Sequence, residues 1–268
     1  MNEISIQFDE CNLAHFLSAL ALSGIADEAL PCGQSRCWWT NTEFHLCIPI
    51  TRDDLFAESH NFVSSIKWIP GIGCDDKKGN IKASPYHGLY VADNGHCGNP
   101  LINYHDQGAS ASVFKTFSGQ KSPSDILEKQ TAALTAPVKG KPNEWLFQRA
   151  EGVASWKFDA RVGGHAYNQG YSANDDQSND LSPFYPAVEL LALVGAAFFS
   201  AANAWLVNKQ TLNYAVWRTA IPLRLASLAA ANLLDGVDTL SYPLASSASS
   251  FGSGSSYKHF SVAFPLGQ

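Results

Sequence analysis

Charge is what this sequence has least of. Of its 268 residues only 16% are Asp, Glu, Lys or Arg, against about a quarter in an ordinary domain. A freely soluble monomer carries more surface charge, so part of this surface is expected to be covered by partners. The net charge of −6 excludes a protein held on nucleic acid by its overall field. It leaves room for a local basic groove inside an assembly. Cysteine pairs are missing as well. Cys11, Cys32, Cys37, Cys47, Cys74 and Cys97 include no CxxC, and the closest spacing is Cys32-x4-Cys37. That excludes a tight-pair zinc knuckle and points to reduced, partly buried thiols. His96-Cys97 is adjacent and His45-Cys47 sits on alternating positions, which leaves a Cys/His metal site conceivable. There is no long apolar run. Ala187–Ala202 is interrupted by Glu189 and Ser200 and falls short of the roughly twenty residues of a membrane span. The first residues lack a basic region followed by an apolar run and a cleavage site. A cytoplasmic protein without membrane contact is expected.

Catalytic signatures are also absent. The chain has no nucleophile elbow, phosphate loop, HExxH helix, or deaminase or nuclease spacing. Gly71-Ile72-Gly73 lacks the third glycine and the following helix of a dinucleotide site. Asp175, Asp176 and Asp180 do not follow the EF-hand order. Two dispersed chemistries stay open: His165 as a base oriented by Asp159, and paired carboxylates far apart in the chain. No metal or cofactor is expected.

What is present is an alternation of short strands and apolar helices. Ile4–Phe8 alternates as a strand; Asn12 caps a helix over Leu13–Ile25 with Gly24 near its end. Arg36–Thr40 and Glu43–Ile50 read as strands joined at Asn41, and Thr51 opens a helix over Asp53–Ile66. This β-α-β-β-α order begins a ferredoxin-like or RNA-recognition-type unit, with His87–Val91 as candidate last strand. Residues 70–85 form a loop whose Lys77 and Lys78 either contact phosphate or decorate a hairpin tip. Ser122 caps a helix to about Ala133. Leu212–Arg218 alternates as a strand, and a helix is expected over Leu223–Leu234. A Ser/Gly loop over Ala245–Ser256 precedes a final strand, Tyr257–Phe264. The fold class is α+β, with an N-terminal ferredoxin-like βαββα region over 1–134 and a second mixed α/β and helical region over 144–268, or both within one domain.

The chain is organised around residues 156–199. A strand end, Trp156–Arg161, leads into a polar loop, Gly163–Ser182, and then into an apolar helix from Pro186 to Phe199. Loops of about twenty residues inside a domain are usually functional or disordered. This one joins Arg161, His165, Tyr167 and Tyr171 to a glycine-bearing backbone that can approach a polymer closely.

FDARVGGHAYNQGYSANDDQSNDLSPFYPAVELLALVGAAFF (158–199) and LNYAVWRTAIPLRLASLAA (212–230) resemble a CRISPR-associated family of the type I-G effector, formerly type I-U. LAHFLSALALSGIAD and SYKHFSVAFPL are similar to it too. The chain departs from the family's pattern at Gly164-His165-Ala166-Tyr167, where a tryptophan and a second acidic residue are expected. The resemblance implies a large-subunit-like, non-catalytic component of a Cascade surveillance complex. Its implied partners are the backbone and guide-RNA-processing subunits, guide RNA, target double-stranded DNA and a helicase-nuclease acting in trans. Lys157, Arg161, Arg218 and Lys258 would supply phosphate contacts, and Tyr167 and Tyr171 would stack on or wedge bases. His165 would reach base edges of the motif flanking the target. Base pairing reads most of the sequence in such complexes, so no extensive basic face is needed. Two other functions are compatible with the residues: a ferredoxin-like endoribonuclease that processes CRISPR RNA with a histidine base, and a scaffold without nucleic-acid contact.

Overall fold

The computed structural model describes residues 1–29, 33–72, 83–92, 123–150, 184–200, 211–250 and 256–260. It is a mixed α+β structure of helices and small antiparallel sheets. The chain opens with β1 (Asn2–Ile6) and α1 (Leu13–Ala29). Asn12 starts α1 as its sequence position predicts, with its side-chain oxygen accepting from Ala14 N at 3.0 Å. Every residue from Leu13 to Ser23 is buried, as befits a helix apolar on all sides. The helix continues past Ile25 because Gly24 is not its end. Gly24 is instead a close-packing position, where a Cβ would lie 2.5 Å from the Phe198 ring.

β2 (Arg36–Trp39) and β3 (Phe44–Ile48) follow, then α2 (Arg52–Ser64). Thr51 and Asp54 form a capping box: each side chain accepts from the other's backbone N–H, and Asp53 adds charge to the first turn. Ser65 closes α2, and the chain turns extended at once, so Ile66 begins β4 (Ile66–Ile72) rather than ending the helix. β4 pairs with β5 (Ala83–Ala92) as an antiparallel hairpin with a register shift between Pro70 and Ile72. Proline has no N–H for the ladder, which accounts for an irregularity there. His87–Val91 thus lies in a two-stranded sheet of its own. α3 (Pro123–Ala133) matches the expected helix, whose expected cap Ser122 lies outside the described residues, and the short α4 (Pro142–Leu146) follows a turn in which Gly140 has a φ of +79°.

The C-terminal elements are α5 (Pro186–Ser200), β6 (Thr211–Trp217), β7 (Ile221–Pro222), a 3-10 turn (Leu223–Leu225), α6 (Ala226–Ala230), β8 (Thr239–Ser250) and β9 (Ser256–Phe260). The helix expected to reach Leu234 stops at Ala230. Asn232 takes a φ of 56°, which breaks the helical path, and Leu233 points outward at 56% exposure. The Ser/Gly tract predicted to be a loop continues β8 as far as Ser250. β8 pairs with β6 through Thr239–Ala245 and with β9 through Ser246–Ser250, and the pairing with β9 overrides the weak strand preference of Ser and Ala.

The first sheet has the order β1-β3-β2-β7 with all neighbours antiparallel. Ile4, Ile6, Cys37, Trp39, Phe44, Leu46 and Ile48 alternate onto its inner face. α1 and α5 form the most extensive helix pair behind that face. Ser18 Oγ donates to Val188 O at 3.1 Å between them, and Gly195 lets the backbones touch. The helix expected to be core is core: from Ala187 to Ala197 α5 is buried throughout, Glu189 included. Residues on both sides of the 134/144 boundary build this single cluster, from Ile4 to Tyr242.

Candidate nucleic-acid interface

Arg218 is the expected contact residue whose side chain can be followed. Trp217 ends β6, and its Nε1–H donates to the Cys37 carbonyl at 3.0 Å, fixing the strand end against β2. The next residue is thereby set beside the turn between β1 and α1. Arg218 meets Glu10 through both guanidinium nitrogens, Nη1 at 2.5 Å from Oε2 and Nη2 at 2.7 Å from Oε1. Nη1 also donates to the Thr40 carbonyl at 2.8 Å. The Tyr242 hydroxyl donates to Glu10 Oε1, and the Tyr214 hydroxyl donates to the Glu10 carbonyl at 2.8 Å. The two tyrosine rings stack at 5.4 Å. Glu10 is only 7% exposed. A bidentate, charge-assisted pair in such a place is among the stronger polar contacts a protein makes. Burial pushes both phenols upward, and for Tyr242 the bond to Glu10 adds to the shift, so both stay protonated donors. The arrangement matches the Arg218 charge inside the fold and ties the β1–α1 turn to β6 and β8.

Glu10 and Tyr242 went unnoticed in the sequence for a physical reason. Glu10 lies between the last strand residue and the helix cap, where no periodicity marks burial. Its partners are 208 and 232 positions away. The one local signal is Asp9-Glu10 standing just before the cap of a largely apolar helix. His15, on that helix, is a core histidine as expected. Its Nδ1 accepts from Asp9 N at 2.9 Å, and its ring stacks on Phe8.

The outer face of the first sheet is a second polar surface. Register places Ser5, His45 and Trp38 in one cross-strand row, and Glu3, Cys47, Arg36 and Pro222 in the next. The Trp38 and His45 rings are parallel within 5° at 5.1 Å. His45 Nδ1 lies 3.4 Å from Glu3 Oε1, and Nε2 lies 3.7 Å from Glu43 Oε2 and 3.2 Å from Thr40 Oγ1. Arg36 Nη1 donates to the carbonyls of Gly33 and Ser35.

Lys258 sits in β9 opposite Ala248, in the sheet that also holds β6, but nine residues along β8 from Thr239, the partner of Trp217 next to Arg218. Lys77, Lys78, Lys157, Arg161, His165, Tyr167 and Tyr171 lie outside the described residues, as do Asp159, His96, Cys97 and the Gly163–Ser182 loop. Among the described residues no group of three or more His, Cys, Asp or Glu is placed to hold a metal, and no helix is long and apolar enough to cross a membrane.

No protein-family model, curated protein or solved structure matches the chain.

The described thiols are free cysteines. Burial pushes Cys37 up to about 12, and burial with the charges of Asp9 and Glu10 pushes Cys11 up to about 11. Thiolate is the reactive form, so both should resist alkylation near pH 8 in the native protein. Mass-spectrometric mapping after iodoacetamide should find Cys37 labelled only in denaturant. Labelling of native Cys37 as fast as of a free thiol would contradict its placement.

Proposed function

We propose that this chain is a non-catalytic subunit of a type I-G CRISPR Cascade surveillance complex. In this reading it helps bind guide RNA and target DNA, recognise the motif flanking the target and recruit the helicase-nuclease. The observation that carries the reading is where the two resembling stretches fall. They contribute α5 and β6, whose side chains, with those of α1, line the shared core. Motifs that specify a core are those a family sharing one fold would keep through differences in its contact loops. The strand order β1-β3-β2, with β1 and β2 both antiparallel to β3, supports reading the N-terminal unit as ferredoxin-like. We place the nucleic-acid contacts at Lys157, Arg161, His165, Tyr167 and Tyr171, with Lys77, Lys78 and Lys258 as further cations.

The test is target binding by the reconstituted complex over several salt concentrations and flanking sequences. Arg161→Ala should weaken binding on every sequence and flatten the salt dependence by about one ion, as loss of a phosphate contact does. His165→Ala or Tyr167→Ala should change the preference among flanking motifs, by about 1–3 kcal/mol. In the same preparations the isolated chain should leave precursor guide RNA intact with or without divalent metal. Cleavage abolished by His165→Ala would favour the endoribonuclease reading. A complex that assembles and binds target unchanged with all three variants would leave the scaffold reading.

A further inference from the structure

The outer face of the β1-β3-β2-β7 sheet has the chemistry of a cation-binding platform. Trp38 is half-buried, and its one ring contact among the described residues is His45, stacked on one side of the indole. The stack and the β2–β3 register hold the indole in place before any ligand arrives, which lowers the entropy lost on binding. Indole is the best of the aromatic faces for a cation, and guanidinium both stacks on it and retains hydrogen-bond donors at its edge. Two carboxylates beside the stack have the matching sign. Glu3 and Glu43 stand at the two nitrogens of His45, with side chains 63% and 32% exposed. Their charge reaches a cation on the indole across the His45 stack, attenuated over a Debye length of about 8 Å. A phosphate chain on the same surface would be repelled by the same carboxylates. Two cations stand near the face, each held on backbone: Arg36 by the carbonyls of Gly33 and Ser35, and Arg52 by the carbonyl of Ser5 at 2.7 Å.

We propose that this face docks an extended, arginine-bearing segment of a protein partner, with a guanidinium laid on Trp38 and Glu3 and Glu43 supplying the charge. The proposal rests on the sheet face alone and stands apart from the nucleic-acid contacts placed in the 157–171 stretch. It also gives a physical role to a surface poor in charge, namely cover by a partner.

The full-length chain labelled with 5-fluorotryptophan provides the test. Trp38→Phe identifies the Trp38 resonance among the seven tryptophans. The probes are a synthetic peptide alternating Arg and Gly, its citrulline twin and a single-stranded oligouridylate. The arginine peptide should shift the Trp38 signal saturably, and the citrulline twin should not. Glu3→Gln, at an exposed position that leaves the fold intact, should weaken the peptide about fivefold, the scale of one exposed ion pair. Raised salt should act in the same direction. The proposal is overturned if the arginine peptide leaves the Trp38 signal unmoved, if the citrulline twin matches it, or if Glu3→Gln changes nothing. A Trp38 shift produced by the oligouridylate and not by the peptide would assign the face to nucleic acid and equally overturn it.

Discussion

Gly195→Ala is expected to destabilise the protein by about 2–4 kcal/mol, although alanine is the better helix former. A Cβ at Gly195 would stand 1.7 Å from the Leu17 carbonyl oxygen and 2.5 Å from its carbon. The obstacle is backbone in the middle of α1, so no rotamer change relieves it; α1 and α5 must move apart. Overpacking a core typically costs about 1–3 kcal/mol and occasionally more. Separating two buried helices belongs at the upper end, because their other contacts loosen together. The gain in helix propensity offsets about 1 kcal/mol. Gly24→Ala is the internal control. Its Cβ would meet the Phe198 ring at 2.5 Å, and a half-buried ring at a helix end can turn. The loss there should be clearly smaller. Urea denaturation midpoints at equal m-value measure both. A Gly195→Ala protein as stable as the wild type, or less affected than Gly24→Ala, would refute the close crossing of α1 on α5.

That crossing shows how far the sequence could be read. The apolar runs Leu13–Ile25 and Pro186–Phe199 announce two buried helices, and the caps at Asn12 and Thr51 mark helix starts within a residue or so. These are local signals with local causes. β2 and β3 were legible from alternation, and α3 from the Ser-Pro-Ser-Asp stretch at its start. Legibility ends where a non-local partner decides. Gly24 looked like a helix end because glycine is a weak helix former, yet its reason is Phe198, 174 positions away in the chain. The Ala/Ser tract of β8 has no strand pattern; it is extended because β9 pairs with it. The hydrophobic stretch after Ile221 read as one long helix, because composition shows apolarity but not that Asn232 leaves the helical region. The candidate site divides in the same way. Arg218 could be picked out as a cation in a strand-end motif, but nothing near it names Glu10.

Breaking the Glu10–Arg218 pair should produce the other large loss, with a recognisable thermodynamic signature. Arg218→Met is expected to cost about 3 kcal/mol, at the lower end for a broken buried pair, because the Arg218 side chain keeps 19% exposure. It leaves the 9%-exposed Glu10 side chain with the Tyr242 hydroxyl but no cation. Glu10→Gln should cost less, about 1–2 kcal/mol. The amide still accepts from Tyr242, the Tyr214 bond to the Glu10 backbone survives, and the unpaired guanidinium can reach water. The double variant should lose less than the sum, with a coupling of about 2 kcal/mol, since removing Glu10's charge removes most of the reason Arg218 is needed. Denaturant unfolding of the four proteins closes the cycle. Losses that add within about 0.5 kcal/mol would mean that the two side chains are not partners in solution. A second readout separates this role from direct phosphate binding. A guanidinium already matched by Glu10 has no free charge to displace counterions. In the reconstituted complex, at matched amounts of folded protein, Arg218→Met should therefore leave the salt dependence of target binding unchanged. A slope reduced by about one would instead show that Arg218 leaves Glu10 for the nucleic acid on assembly.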